Sequence, residues 1–415
     1  MKNKTSSLFL ADPSFDSKDF FQKFSDRRSW EPGWLADYRK EKWENFLNFR
    51  NQDLKDERWR FSSRSRLDYS KVEKVTESDQ TISVNESSKN GITLDTLGKV
   101  ILEQPSLLSE ITNLSGPNLG ADESFLLAST FSESGFFLKV DKGTTHSAPL
   151  FVDHTAPSSG EVSFSRNLLV LEPHSEVTLI ERMASTTSSS DGFVTNLTNA
   201  IIGEGAKLRR IVIQDFNDKV TLHNLENFDL LKDAQLTNVS LHLGSAEARL
   251  ETKGSMLGSG AEFENFSLAL GREDQLIDLR TMQHHLASNC RSNLVCKNAL
   301  LNKSKSIFSG MIKVENKARC SDALQTNRNL LMSEEAVADS IPGLEISANE
   351  VKCSHGATTS RIDEQELFYL LSRGIKPNHA EKLIALGFFE EVVEKIVLEE
   401  QMEIARNLIS QKFDS

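Results

Sequence analysis

The first part of the chain carries apolar residues at the spacing of an α-helix. Trp34, Tyr38 and Phe46 fall on one face of the predicted helix, and Glu31-Pro32-Gly33 lies just ahead as a start signal. We therefore predict an N-terminal helical domain over residues 1–134, whose aromatic side chains pack on each other or on the rest of the fold.

A polar stretch interrupts this predicted domain. Residues 71–91 are rich in Ser, Glu, Lys and Asn, which predicts a loop or a mobile linker. Residues 93–114 then hold apolar positions that predict a pair of helices. The pair is interrupted near Pro105, because proline does not continue a helix.

From about Gly135 the apolar period shortens to two, which is typical of β-strands. Phe136, Leu138 and Val140 alternate with their neighbours in this way. Between residues 135 and 350, Asp191-Gly192 is the only Asn-Gly or Asp-Gly pair, so the usual chemistry of tight hairpins is scarce. Many strands with few tight reversals predict a chain that coils in one direction.

A weak internal repeat supports such coiling. Each copy has an apolar residue, a small residue four positions later, and a second apolar residue two positions after that. The first four copies are Leu171…Ser175…Val177, Ile202…Ala206…Leu208, Leu230…Ala234…Leu236 and Leu257…Ala261…Phe263, and the pattern recurs at Val314…Ala318…Cys320. Spacings of 31, 28 and 27 residues between the first four small residues suit one coil of a parallel β-helix. A β-sandwich with long loops is the alternative.

After Ser360 the pattern becomes helical again. Three amphipathic helices are predicted, one with Leu367, Leu370 and Leu371 on one face that stops at Arg373-Gly374, one from Pro377 to Gly387, and one from Glu390 to Leu408. We place them in a C-terminal domain over residues 357–415, which must pack on the rest of the chain or on a partner.

Composition narrows the class of protein. The chain has 415 residues, of which 38% are hydrophobic and 26% charged, and its net charge is -12. This charge argues against a nucleic-acid partner, and the lack of a long apolar run argues against a membrane partner. Four cysteines (Cys290, Cys296, Cys320 and Cys353) form no disulfide framework, and the chain start lacks a secretory apolar segment. We expect a cytoplasmic protein.

Most signatures of catalysis are absent from the sequence. There is no Walker A loop, no H-E-x-x-H, no G-x-S-x-G and no dinucleotide-binding glycine motif. His284 and His285 are adjacent on a predicted strand, so their side chains point to opposite sides and cannot hold one metal ion together.

The cysteines divide into two groups. Cys290 and Cys296 share strand parity with Leu294, and Cys320 occupies an apolar position of the repeat, so all three are predicted to be small core residues. Cys353 and His355 are instead expected to extend an accessible polar face of a strand. A thiol two residues from an imidazole can bind soft metals, and a protonated imidazole would lower the pKa of the thiol.

The segment around this pair carries a family resemblance. Residues 350–359 (Glu-Val-Lys-Cys-Ser-His-Gly-Ala-Thr-Thr) and residues 363–375 closely resemble the SufB/SufD family of scaffold subunits in the SUF iron–sulfur cluster assembly machinery. The Lys-Cys-Ser-His-Gly form is similar to the SufD branch, whereas the SufB pattern has His-Glu-Ala-Thr at this point. The resemblance also covers residues 326–332, 345–346, 31–35 and 59–61.

The resemblance implies a mainly β protein. Its core, which we place over residues 135–356, would be a right-handed parallel β-helix flanked by helical domains. It implies a non-catalytic scaffold that pairs with a SufB-like paralogue through the β-helices and binds a SufC-like ABC-type ATPase through its C-terminal helices. Cys353 and His355 would then be ligands for a transient iron–sulfur cluster or iron shared with the partner, with no cofactor bound permanently.

Two other functions remain open at this stage. One is a homodimeric β-helix scaffold without a SufB partner. The other is a carbohydrate-active enzyme built on a β-helix, which would need stacked carboxylates or basic residues in a groove and is not indicated by the sequence.

Overall fold

The structure, a computed structural model, describes residues 8–9, 17–50, 56–62, 72, 74–76, 80–84, 91–109, 114–132, 134–185 and 190–414. This part of the chain consists mainly of two large β-sheets with helices on their outer faces. The strands in chain order are β1 (Leu8–Phe9), β2 (Lys74–Thr76), β3 (Gln80–Val84), β4 (Ile92–Thr96), β5 (Phe136–Val140), β6 (Leu150–Thr155), β7 (Glu161–Leu171), β8 (Glu176–Ala184), β9 (Phe193–Ile202), β10 (Lys207–Asp215), β11 (Thr221–Leu230), β12 (Gln235–His242), β13 (Glu247–Met256), β14 (Glu262–Gly271), β15 (Leu276–His285), β16 (Arg291–Leu300), β17 (Lys305–Val314), β18 (Asp322–Leu331), β19 (Val337–Ile346) and β20 (Lys352–Arg361).

From β6 onward, successive strands alternate between the two sheets and form a parallel solenoid of about eight turns. The first sheet runs β1-β2-β7-β9-β11-β13-β15-β17-β19, with β5 beside β7 and β4 beside β5, and the second runs β3-β6-β8-β10-β12-β14-β16-β18-β20. The predicted mainly β fold with a parallel β-helix is therefore confirmed, and the sandwich alternative is wrong.

In each strand of the coil, alternate side chains point into the space between the two sheets, and we call these the inward row. Leu208, Leu236 and Phe263 are register neighbours on β10, β12 and β14, and all three are buried in the same core cluster. Each coil thus covers the apolar positions of the previous coil, which is why a single coil cannot fold alone.

The corner from the first sheet to the second repeats its backbone conformation in every coil. A residue with positive φ occupies this corner at His174, Gly205, Asp233, Gly260, Asn289, Cys320 and Glu350. Ser175, Ala206, Ala234 and Ala261 each follow one of these residues, so the first four copies of the sequence repeat mark true corners. The copy at Val314…Ala318…Cys320 is out of register, and Cys320 is exposed at the corner instead of lying in the core.

The inward row also contains buried polar groups, which bond mainly with one another. Asn196 accepts from Asn167 at 2.9 Å and donates to Asn224 at 2.8 Å, which gives a ladder of amides across three coils. Arg210 lies next to this ladder and pairs with Glu181 and Glu226.

Helices cover parts of the outer faces of both sheets. Their bounds are α1 (Lys18–Arg27), α2 (Gly33–Arg50), α3 (Leu97–Glu103), α4 (Asp122–Phe131), α5 (Glu364–Ser372), α6 (Pro377–Val393) and α7 (Glu399–Asp414). No helix in the described ranges is both long and apolar enough to span a membrane.

The N-terminal helices pack their aromatic side chains against the outer face of the first sheet. Trp43 and Phe46 of α2 and Phe131 of α4 share a buried cluster with Leu197 and Leu225 of the sheet, as the aromatic pattern predicts. His223 of β11 is buried beneath these helices, where its Nδ1 lies 2.6 Å from Ser124 Oγ of α4.

The predicted linker over residues 71–91 is partly wrong, because it contains β2 and β3. The stretch holds Val75, Thr76, Thr81, Ile82 and Val84, which favour strands, and the existing sheets offer edges for them. β2 pairs with β7, and β3 pairs antiparallel with β6.

The predicted helix pair over 93–114 also differs, since its first residues form β4, and among its described residues α3 and a short turn at Pro105–Leu108 are helical. β4 pairs antiparallel with β5, and Ile92 and Leu94 are buried on the first coil.

The C-terminal helices pack on the outer face of the second sheet. Phe389 and Val392 of α6 and Ile409 of α7 share a buried cluster with Val239 and Phe266 of the sheet. Removing the chain after residue 361 would expose this apolar face to water, so the helices stabilise the β-helix by covering it.

Three sequence boundaries differ in this region. The last strand, β20, extends to Arg361, beyond the predicted boundary at residue 356. α6 continues through Gly387 because the residues that follow it pack on the sheet. The predicted helix from Glu390 is broken at Val397, which has φ 68° and is exposed.

Candidate functional site

The last coil leaves one end of the solenoid uncovered. β19 pairs with β17 and β20 pairs with β18, and these two strands end their sheets within the described residues. Their remaining backbone N–H and C=O groups form two free edges, and free edges readily pair with strands of another chain. We call the inward row of this coil, together with the two edges, the open end.

Apolar side chains are exposed at the open end. Leu344 and Ile346 of β19 are register neighbours of the fully buried Ile312 and Val314, so they continue the inward row. They nevertheless remain 38% and 41% exposed because no further coil covers them. The sequence gives no signal for this exposure, since the alternation in β19 is the same as that of a core strand.

Cys353 and His355 lie at the open end on β20. Their register neighbours are Ala323 and Gln325, both buried, so the two side chains continue the inward row of the second sheet. The prediction that both lie on one side of a strand fits this register. The prediction that they extend an outward polar face is wrong, because a corner separates β19 from β20 and the alternation does not carry across it.

The environment of the thiol differs from the one expected. Burial and then the Asp322 carboxylate raise the pKa of Cys353 above its ordinary value, whereas the sequence predicts a lowered pKa beside an imidazolium. The thiol is therefore protonated at neutral pH. A metal ion that binds Cys353 must displace this proton, since the thiolate is the ligand form.

Cys353 and His355 carry a thiol and an imidazole, which are side-chain types that can ligate an iron–sulfur centre. Within the described part of the chain, no group of three or more His, Cys, Asp or Glu side chains could hold a metal ion. Clusters generally take about four protein ligands. The residues present therefore fit a shared site and do not fit a complete one.

The other cysteines and the histidine pair have different surroundings. Cys290 and Cys296 are buried, as predicted, and burial raises the pKa of Cys296 to about 12. His284 lies 3.0 Å from Glu315 on the outer face, whereas His285 is buried and lies 2.8 Å from Ser292 Oγ. The two histidines point to opposite sides, as the sequence predicts.

A second exposed apolar surface lies on α5. Phe368 is 71% exposed and Tyr369 is 57% exposed, although the helix amphipathicity suggested that Leu367, Leu370 and Leu371 would carry its apolar face. A groove of about 540 Å³ lies beside α5, between the end of β20 and α6, and is lined in part by Leu383, Ile384 and Phe388. Phe368 and Tyr369 lie in the segment of the family resemblance, but no sequence pattern marks them as exposed.

Comparisons with known proteins agree on one family. Residues 154–388 match the family described as "SUF system FeS cluster assembly, SufBD core domain". An iron–sulfur cluster assembly SufBD family protein of Mycobacterium tuberculosis is 28% identical over 318 residues, which cover 73% of this chain and 78% of the relative. The iron–sulfur cluster assembly protein SufD of Escherichia coli is 32% identical over 65% of this chain and 64% of its own length. SufD of Bacillus subtilis is 24% identical over 92% of this chain and 94% of its own length.

Proposed function

Because the chain belongs to the SufBD family of the SUF system for iron–sulfur cluster assembly, we propose that it acts there as a non-catalytic scaffold subunit of the SufD type. It pairs with a SufB-like paralogue at the open end and binds a SufC-like ABC-type ATPase with its C-terminal helices. Cys353 and His355 contribute ligands to iron or to a nascent cluster, which is cargo and leaves for other proteins. The proposal places the protein in the cytoplasm, where its thiols stay reduced.

The open end is the observation that carries the proposal. Two parallel edges and the exposed Leu344 and Ile346 lie beside Cys353 and His355 on the same coil. Strands of a second solenoid could extend both sheets and bury the apolar residues, and solenoids usually need such a cover. The same contact would bring further ligands from the partner to the two ligands present here.

The ligand chemistry of Cys353 and His355 supports transient binding of iron or a nascent cluster. A thiolate and an imidazole are both ligands of iron, and thiolates hold most iron–sulfur clusters. The raised pKa of Cys353 keeps the free chain in the thiol form, so the site binds metal only when a proton leaves. An incomplete ligand set releases its cargo more readily than a closed one.

The ATPase surface is proposed on α5 and the adjacent groove. Exposed aromatic side chains such as Phe368 and Tyr369 are typical anchors of protein interfaces. The helix is tied to the last coil through the chain segment between Arg361 and Glu364. A movement of the bound ATPase could therefore be transmitted to the open end through this short segment.

The test is co-purification under anaerobic conditions. The tagged chain is expressed with its SufB-like and SufC-like partners, and bound iron and sulfide are quantified. Ile346→Glu should abolish capture of the SufB-like subunit, because a charge would be buried between the two solenoids. Leu257→Glu is the matched control, since Leu257 is also exposed but lies at a distant corner. Equal capture by both variants would contradict pairing at the open end.

Size-exclusion chromatography separates this function from a homodimeric scaffold. A chain that stays a dimer when the SufB-like subunit is present in excess would support the homodimer. Exchange into a heterodimer supports the proposal.

A further inference from the structure

Gln325 lies in the coil directly beneath His355. The two residues are register neighbours on β18 and β20, about 4.8 Å apart across the parallel strands, and both belong to the inward row. Gln325 is completely buried, whereas His355 is exposed at the open end. The amide is therefore the polar group that the protein interior presents to the imidazole from below.

The hydrogen bonds of Gln325 leave its oxygen available. One N–H of Nε2 donates to the backbone oxygen of Gly310 on the opposite sheet at 3.3 Å. Oε1 is buried and has no hydrogen-bond partner among the described residues. An unpaired buried acceptor is unfavourable in free energy, so an oxygen held in this position needs a donor.

Gly310 makes the room for this amide. A Cβ atom placed on Gly310 would lie 2.4 Å from Gln325 Oε1 and 2.6 Å from its Cδ, both closer than atoms approach one another. Any side chain at position 310 would thus displace the amide. Glycine in the interior of a strand often marks such a close approach.

A histidine that binds a metal ion through one ring nitrogen usually donates the N–H of its other nitrogen to a second group. This second hydrogen bond sets the tautomer and the ring orientation. No hydrogen bond connects the exposed His355 ring to another described side chain, and the unpaired Gln325 Oε1 lies in the coil directly beneath it.

We propose that Gln325 is the positioning residue for His355, accepting the N–H of one ring nitrogen on Oε1, directly or through one internal water. The other ring nitrogen is then presented at the open end as a metal ligand. This rests on the proposed ligand role of His355, but the hydrogen bond needs no metal ion and is therefore expected in the metal-free chain as well.

Asn298 is a comparable buried amide whose register neighbours do not include His355. Its Oδ1 is also buried without a partner among the described residues, and its Nδ2 donates to Asn329 at 2.7 Å. Its register neighbour on β18 is Asn329, whose own register neighbour on β20 is Thr359 and not His355. Asn298 is therefore a matched control for the loss of a buried, half-satisfied amide.

The first measurement uses the metal-free full-length chain with ¹⁵N-labelled histidine. A hydrogen-bonded ring N–H of His355 should exchange slowly with water and give an observable NMR signal, which His355→Ala identifies by its loss. The exposed His379 provides the fast-exchanging reference. The His355 signal should persist in Asn298→Leu and disappear in Gln325→Met. It should also disappear in Gly310→Ala, which moves the amide without removing it.

The second measurement is titration with Co²⁺, followed through the thiolate charge-transfer band of Cys353. Gln325→Met and Gly310→Ala should weaken Co²⁺ binding about tenfold, as is typical when the group that orients a ligand is removed. Asn298→Leu should leave it unchanged.

The outcomes separate the two proposals. A His355 signal that survives in both Gln325→Met and Gly310→Ala overturns the positioning role, whatever the metal data show. If His355→Ala leaves Co²⁺ binding unchanged, the ligand role of His355 fails, while loss of the slowly exchanging signal in Gln325→Met still supports the hydrogen bond.

Discussion

Arg210 and Glu226 are joined across the interior of the solenoid, where Arg210 Nη1 donates to the Glu226 carboxylate at 2.6 Å. Glu181 pairs with the same guanidinium, and all three side chains are buried. Burial opposes ionisation of Glu181, but Arg210 and His154 outweigh it and lower the pKa to about 2.

Replacing Arg210 by Met should destabilise the solenoid strongly. It leaves two buried carboxylates without their cation, and breaking a buried pair in this way costs about 3–5 kcal/mol. Denaturant unfolding at neutral pH measures the loss. Lys232→Met is the control, because Lys232 pairs with Glu204 on the surface and its removal should cause no measurable change. An Arg210→Met chain as stable as the wild type would show that the carboxylates are not ionised in the fold.

Stability should fall as the pH drops below about 6.5. Burial first and then Arg249 lower the pKa of His223 to about 3, and burial lowers the pKa of His242 and of His285 to about 4. The unfolded chain binds protons on these histidines near pH 6.5, whereas the folded chain does not until the pH is far lower. Each buried histidine therefore contributes full stability above about pH 6.5 and loses about 1.4 kcal/mol for each pH unit below it.

His223→Gln tests this pH dependence. The amide can still bond with Ser124 but does not titrate, so the variant should lose less stability than the wild type between about pH 6.5 and pH 4. Denaturant unfolding at a series of pH values measures both slopes. Parallel slopes would mean that His223 takes up its proton in the folded state.

Cys353→Ala should separate function from stability. Cys353 is only partly buried, so the change should cost less than about 1 kcal/mol, while iron and sulfide in the purified complex should fall. Cys296→Ala should behave in the opposite way. It loses a buried sulfur that accepts from Ser267 at 3.0 Å, costs about 1 kcal/mol, and leaves cluster assembly unchanged.

Cys320→Ala should change neither quantity, because Cys320 is exposed at a corner. Growth of a SufD-deficient strain, scored beside thermal melts of each variant, checks these three outcomes. Full complementation by Cys353→Ala would contradict its ligand role.

Phe368→Ser should weaken ATPase binding without affecting the fold. Phe368 is largely exposed, so its loss removes no core contact, and an aromatic anchor at an interface is worth at least about tenfold in affinity. Pull-down with the SufC-like subunit measures the effect. Leu102→Ser removes a similarly exposed apolar side chain on α3 and should leave binding unchanged. Equal loss in both variants would indicate a nonspecific effect.

The sequence predicts the periodic parts of the fold and misses what depends on the ends of the solenoid. Ser175, Ala206, Ala234 and Ala261 mark coil corners because each is a small residue that directly follows the residue with positive φ. The position of Cys320 was misjudged, because the residue type at a corner with positive φ differs from coil to coil.

The candidate pair Cys353 and His355 was found through its motif, but its inward orientation was not. Alternation within β19 gives no information about β20, since the intervening corner has no period of its own. The sequence pattern predicts that Leu344 and Ile346 are core residues. They are exposed because no further coil among the described residues covers them. The role of Gln325 depends on which strand lies next to β20, which local pattern does not specify.

The two ends of the described solenoid differ, because Leu344 and Ile346 are exposed at the last coil whereas Ile92 and Leu94 are buried at the first. Rods that expose complementary surfaces at both tips can add head to tail without limit and grow into fibres. Here β4 and its buried Ile92 and Leu94 occupy the first tip. A joint between two last coils uses up the free surface of both rods. Joining through the last coil alone would therefore give pairs and no longer assemblies.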